Sequence, residues 1–350
     1  MLADKVKALI EVLAVGFVVF VCKGQGFEYA IGGAHSVMKI TRSLSSHGTF
    51  CPAAVNILGE IPSQALFHID HQLRHPESIY RISMQKLADA FFKVAEAYLE
   101  KSEAYRGSKP PETWEITQLL KDQEDLLRVL QEHLDDLWLI LKTLVDPSSV
   151  TKKPIFADKY VVGSKLPGAK SFEAAIEGYK KSLRIANKLK HQQCCLRGVA
   201  IWMSGAAHLG YFLEEPDAKG YLGPSPEIHP DRGAISFARD LRWHLFNVYL
   251  CSEKLVGAIE KVLGSRGLHL SRAGCPNDPT WEKVIALGLA VPDAYFPKEI
   301  PKHKVSMQKD SDMLVIEFPK TLRLRFPADI RTSCSMQIDK HSRTYKVPFP

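Results

Sequence analysis

Along the stretch 236–263 an arginine, a carboxylate and a histidine fall at a spacing that could do acid–base chemistry: Arg239, Asp240 and His244. At about 100° per residue, a helix puts Asp240 and His244 on one face. A carboxylate placed there orients the imidazole and raises its basicity, and a neighbouring guanidinium can stabilise charge that builds on a phosphoryl group. Trp243 and Phe246 set the same residues beside an apolar stripe. That arrangement also suits an Asp–His pair and a surface arginine on an ordinary core helix.

Two further groups compete for a role. Between 172 and 192, Lys181, Arg184, Lys188 and His191 recur at steps of three and four, while Ile176, Tyr179, Leu183 and Ala186 take the opposite face. Such a stripe is either a solvated helix face or a surface that tracks phosphates. His68, His71 and His75 would share one side of a helix, a spacing that suits a metal, with Glu132, His133 and Asp136 as conceivable partners. Pro76 is expected to end that helix. No metal or cofactor is assigned. Asp135-Asp136 lacks the second aspartate pair of a two-metal prenyl-transfer site. Gly24, Gly26, Gly32 and Gly33 follow no convincing strand, and no Gly-x-Ser-x-Gly elbow or Walker loop occurs.

The run Arg239-Asp240-Leu241-Arg242-Trp243-His244 resembles the Arg-polar-xxx-His motif of the HEPN superfamily, whose members are helical bundles that often act as metal-independent ribonucleases. The resemblance covers this one helix and its helical context. It implies that His244 assists attack of a ribose 2′-hydroxyl on the adjacent phosphate and that Arg239 stabilises the charge developing there, with Asp240 as the polar member. RNA as partner, a homodimer that brings the pair together across a groove, and a role in defence or stress response are likewise implied by the resemblance alone. Arg184 and His191 also stand at a spacing that the motif tolerates. Two other readings stay open: a non-catalytic helical module for protein interaction, and a metal-binding helical bundle using His68, His71 and His75. Whether the chain is an enzyme is left open with them.

The elements that must position these residues read as mainly α, a helical-bundle core with a small antiparallel β addition at the C-terminus. Of 350 residues 45% are hydrophobic and 24% charged, enough for a sizeable core and too apolar for wholesale disorder. A net charge of +7 permits an anionic partner without demanding one. Helices are expected from Ile82 to Tyr105, from a Thr113 cap to Val145, over 172–192 behind a Ser171 cap, over 236–263, and after Asp278-Pro279. Residues 196–213, punctuated by Gly198, Gly205 and Gly210, read as a broken helix or a strand pair. After Pro292 the period changes to two, so 303–348 is expected to form a small sheet. In it Leu322, Leu324 and Phe326 would face the core, and Arg323 and Arg325 the solvent. The chain thus divides into an N-terminal segment of uncertain structure (1–80), a helical-bundle domain (81–291) and a β-rich tail (292–350).

Residues 8–22 form an apolar run broken only by Glu11. They are short for a membrane span and lack a small-x-small cleavage site, so a buried first helix or strand is expected, with membrane association through this run as the alternative. The seven cysteines are irregularly spaced with no Cys-x-x-Cys pair, and are expected to be mostly reduced and buried, as in a cytoplasmic protein.

Overall fold

Local side-chain caps set the starts of three of the helices. In the computed structural model, residues 9–13, 17–21, 37–43, 50–150, 156–191, 194–203, 205–216, 222–229, 233–271, 278–296, 299, 306–310, 313–319, 332–338 and 341–347 are described. Helix α1 runs Pro76–Ala104 and α2 Thr117–Lys142. Pro76 therefore opens α1 instead of ending an earlier helix. Its fixed φ and missing N–H suit the first turn, and His75 Nδ1 accepts the Glu77 N–H as the N-cap. Helix α6, Phe237–Ser265, starts where the Ser236 hydroxyl accepts the Arg239 N–H, and α7, Pro279–Ala290, starts under the Asp278 carboxylate.

The helix expected over 172–192 is broken. After α3 (Ala157–Gly163), α4 spans Ala169–Ser182 and α5 spans Arg184–His191. Leu183 between them is fully buried at φ −80°, ψ 0°, and the Ser182 hydroxyl donates back to the Tyr179 carbonyl. The expected Ser171 cap is also displaced. The N-cap is Gly168 at φ 84°, a conformation glycine takes freely, and a Cβ there would stand 2.9 Å from the Ala258 Cα of α6.

Among the described residues the chain is mainly helical, with strands in three sheets. The largest has the order β1-β2-β4-β5-β6, with β7 also on β5: β1 Leu9–Leu13, β2 Phe17–Val21, β4 Cys195–Met203, β5 Ala206–Pro216, β6 Leu222–Pro224 and β7 Ile235–Ser236. The β2–β4 pair is parallel and the others antiparallel. Within the apolar run, Leu9–Leu13 and Phe17–Val21 thus form a strand pair, and Cys195–Met203 with Ala206–Pro216 a second. A three-stranded antiparallel sheet joins β3 (Val37–Ser43) and β8 (Ser306–Asp310) to the two edges of β9 (Met313–Pro319); β10 (Thr332–Ile338) and β11 (His341–Val347) pair with each other. The alternation expected near 314–318 is realised, with Leu314 and Ile316 buried. The C-terminal strands do not make one sheet of their own, because β9 takes β3 from the N-terminal segment as a partner. The strand expected over 321–326, with Arg323 and Arg325, lies outside the described residues.

Helices α1 and α2 pack side by side, and both also contact the large sheet through β4 or β5. Helix α6 contacts α4, β5 and the 53–56 turn, so 19 of its 29 residues are buried. A helix enclosed this way buries more than one stripe, and polar residues in it go inside with the rest. Among the described residues Cys194, Cys195 and Cys251 are free thiols, and Cys51, which is disulfide-bonded, is the exception to mostly reduced cysteines. Irregular spacing gave no sign of that bond, since pairing follows from spatial approach. No helix among the described residues is long and apolar enough to cross a membrane.

Candidate functional site

Asp240 and His244 are brought together, as their spacing predicts, but in the core. His244 is 2% exposed and Asp240 4%. The His244 Nε2–H donates to Asp240 Oδ2 at 3.2 Å, and the same oxygen accepts the Tyr211 hydroxyl at 2.6 Å and Gln123 Nε2 at 2.8 Å. His244 Nδ1 lies 3.1 Å from the Tyr179 hydroxyl. Four elements, α2, α4, β5 and α6, therefore meet in one buried polar network.

Burial opposes the Asp240 charge. The His244 charge, hydrogen bonds from His244 and Tyr211, and the nearby Arg239 outweigh it and hold the carboxyl below its usual range. Burial, Cys251 and Asp240 push the Tyr179 phenol well above its ordinary value, and burial and Asp240 do the same to Tyr211. Both therefore stay neutral hydroxyls. A network like this fixes side-chain positions, because each member's loss leaves others unpaired in a medium of low dielectric.

Arg239 departs from the pair. Its Nη1 is 4.0 Å from Oε1 of Glu299, which also accepts the backbone N–H groups of Ser236 and Phe296. Arg242, one turn on, was not singled out by the sequence. It is buried and holds the 291–295 segment through Asp293, the Val291 carbonyl and the Tyr295 hydroxyl. The sequence carried its signal only as one more arginine in an apolar helix.

The basic stripe is split by the break at Leu183 and met by carboxylates. Lys181 pairs with Glu177 at 3.4 Å and Arg184 with Glu227 at 3.0 Å. Lys188 bridges Glu215 at 2.7 Å and Glu227 at 3.2 Å with its side chain only 12% exposed. Burial opposes the Lys188 charge, and the two carboxylates more than offset it, so the ammonium holds its proton more tightly than usual. His191 stays exposed at the end of α5. Lys181 and Arg184 instead line a cleft of about 290 Å³ with Lys159, Lys180 and the amides of Gln131 and Asn187. Glu173 and Glu177 complete the wall, and each of the four cations has a carboxylate beside it: Lys159 has Glu173, Lys180 has Asp158, Lys181 has Glu177 and Arg184 has Glu227.

The three histidines do not converge. Residues 66–75 are turns and extended chain instead of a helix. His71 Nε2 bonds the Val145 carbonyl at 2.8 Å and its ring meets Tyr160, while His68 and His75 touch edge to face at 5.4 Å. Among the described residues no group of three or more His, Cys, Asp or Glu could hold a metal ion. His133 is sequestered between α1 and α2: Nδ1 lies 2.8 Å from the Ser83 hydroxyl, and burial lowers its pKa to about 3.

No family model matches the chain, and neither does any curated protein or solved structure.

Proposed function

We propose that this chain binds an anionic, phosphate-bearing partner, single-stranded RNA in the first instance, and does so without cleaving it. The observation that carries the reading is the cleft where Lys159, Lys180, Lys181 and Arg184 face one space beside Gln131 and Asn187. The Lys181–Glu177 and Arg184–Glu227 pairs are exposed, and exposed pairs contribute roughly 0–1 kcal/mol each, so phosphates can displace these carboxylates at little cost, whereas the Lys180–Asp158 pair is part-buried and held more firmly. The amides add donors for phosphate or base oxygens. Asp240 and His244 are assigned a structural role, because an imidazole that is 2% exposed and bonded at both nitrogens has no room for a ribose hydroxyl.

The test is a titration of labelled single-stranded RNA at several salt concentrations. Lys181→Gln with Arg184→Gln should weaken binding and flatten the salt dependence by about 0.7 for each phosphate that is no longer neutralised. An unchanged slope would return these residues to being a solvated surface. The HEPN-like reading is favoured by the Asp240–His244 contact and has its own arm in the same experiment. RNA cut in EDTA to 2′,3′-cyclic phosphate ends by the parent protein, but not by His244→Ala or Arg239→Ala, would establish it and reject the non-catalytic assignment.

A further inference from the structure

A second cavity, of about 330 Å³, opens where the chain before α1 meets the outer faces of α1 and α2, away from both the cleft and the α6 network. Its apolar lining includes Ile79, Ile82 and Leu139. Ile82 is 37% exposed, which is unusual for an isoleucine flanked by the buried Ser83 and Ile79. Charges of both signs share the lining: Arg74 in the approach to α1, Lys86 on α1 and Asp136 on α2.

These charges are not equivalent. Lys86 already pairs with Glu132 at 3.4 Å, and its charge also acts on Asp136. On the same turn of α2 as Asp136, the fully buried His133 has its Nδ1 2.8 Å from the Ser83 hydroxyl of α1. Burial raises the Asp136 carboxyl above its usual range, and the Lys86 charge opposes this. When ionised, the carboxylate is a pure acceptor at the cavity wall. His133 Nε2 is buried with no partner, and a pKa of about 3 makes the ring a poor base. The Ser–His pair is therefore not a nucleophile–base couple.

A lining of apolar residues with a carboxylate and a guanidinium calls for a ligand with an apolar body, one ammonium and one carboxylate. A simple carboxylic acid would set its charge against Asp136, and a simple amine would set its charge against Arg74 and Lys86. A peptide end carries only one of the two charges near its terminal residue. The geometry points to a binding site for a free α-amino acid with an apolar side chain of about leucine size, its carboxylate on Arg74, its ammonium on Asp136 and its side chain on Ile79, Ile82 and Leu139. This does not rest on the RNA reading, whose cleft lies on other residues.

Calorimetric titration of the full chain with L-leucine tests it, beside 4-methylpentanoic acid, which lacks the ammonium, and 3-methylbutylamine, which lacks the carboxylate. L-leucine should bind one to one, with each truncated ligand weaker by on the order of tenfold or more. Arg74→Ala and Asp136→Asn should each reduce leucine affinity by a similar factor. Ile82→Trp fills the cavity from an exposed position and should abolish binding with the helical circular-dichroism signal unchanged. If Asp136→Asn fails to fold, Arg74→Ala, Ile82→Trp and the ligand series still decide. Equal binding of 4-methylpentanoate and L-leucine overturns the proposal in favour of a plain anion site. Leucine binding retained in Ile82→Trp places the ligand elsewhere and overturns it, as does the absence of heat with all three ligands.

Discussion

Replacing His133 should remove a large part of this protein's sensitivity to acid. In the folded chain His133 is 1% exposed between α1 and α2, and burial lowers its pKa to about 3 from 6.5. Unfolding returns the ring to water and to its ordinary value. Above pH 6.5 it is neutral in both states and contributes no pH dependence. Below that, the unfolded chain binds a proton that the folded chain refuses, so stability falls as pH drops, until the folded ring itself titrates near pH 3. The slope is about 1.4 kcal/mol per pH unit, amounting to about 2 kcal/mol at pH 5 and about 3 at pH 4. Against a total stability of roughly 5–15 kcal/mol, that is a substantial fraction. His133→Asn keeps a donor for the Ser83 hydroxyl and removes the titration. Urea unfolding followed by circular dichroism at pH 7, 6, 5 and 4 gives the slope for each protein. The variant's absolute stability will change with packing, but between pH 6 and 4 its slope should be shallower by about 1.4 kcal/mol per unit. Parallel stability–pH curves would refute the reasoning and mean that water reaches this ring.

The α6 network gives a second outcome. Asp240→Ala strands Tyr211, Gln123 and His244 in the core and should cost about 3–5 kcal/mol by urea denaturation. Because the folded Asp240 carboxyl sits below its usual range, its contribution is present above about pH 4 and is lost as pH falls further, so the gap between variant and parent should narrow in strong acid. Gly210→Ala would place a Cβ 2.2 Å from the Ile235 carbonyl and 2.4 Å from the Phe296 ring, and should lower stability by about 1–3 kcal/mol or more, read as a drop in melting temperature. Arg242→Met removes the anchor of the 291–295 segment, and amide exchange there should accelerate more than in α1 or α2. Neutralising Lys188 breaks a mostly buried pair and should cost more stability than neutralising the exposed Lys181.

Signals confined to a few neighbouring residues were legible in the chain itself. Asp278-Pro279 starts α7 where an N1 proline predicts, and α6 starts at the edge of the expected stretch 236–263, since a helix end needs only a side-chain acceptor within the next two or three residues. Alternation at 314–318 read as a strand, and the four-residue step from Asp240 to His244 read as a shared face, because both follow from backbone period alone. Tertiary structure decided the rest. It wrapped α6 on several sides, so the Asp–His pair became a core network in place of a surface site. It broke 172–192 at Leu183, sending Lys188 to Glu215 on β5 and leaving Lys181 and Arg184 to a cleft shared with α3. It split the histidine triplet into a His68–His75 ring contact and a separate His71 bond to the Val145 carbonyl, joined β3 to β9 across more than two hundred residues, and bonded Cys51. Each of these depends on which surfaces meet after the elements form, and a local periodicity holds no information about a partner far along the chain.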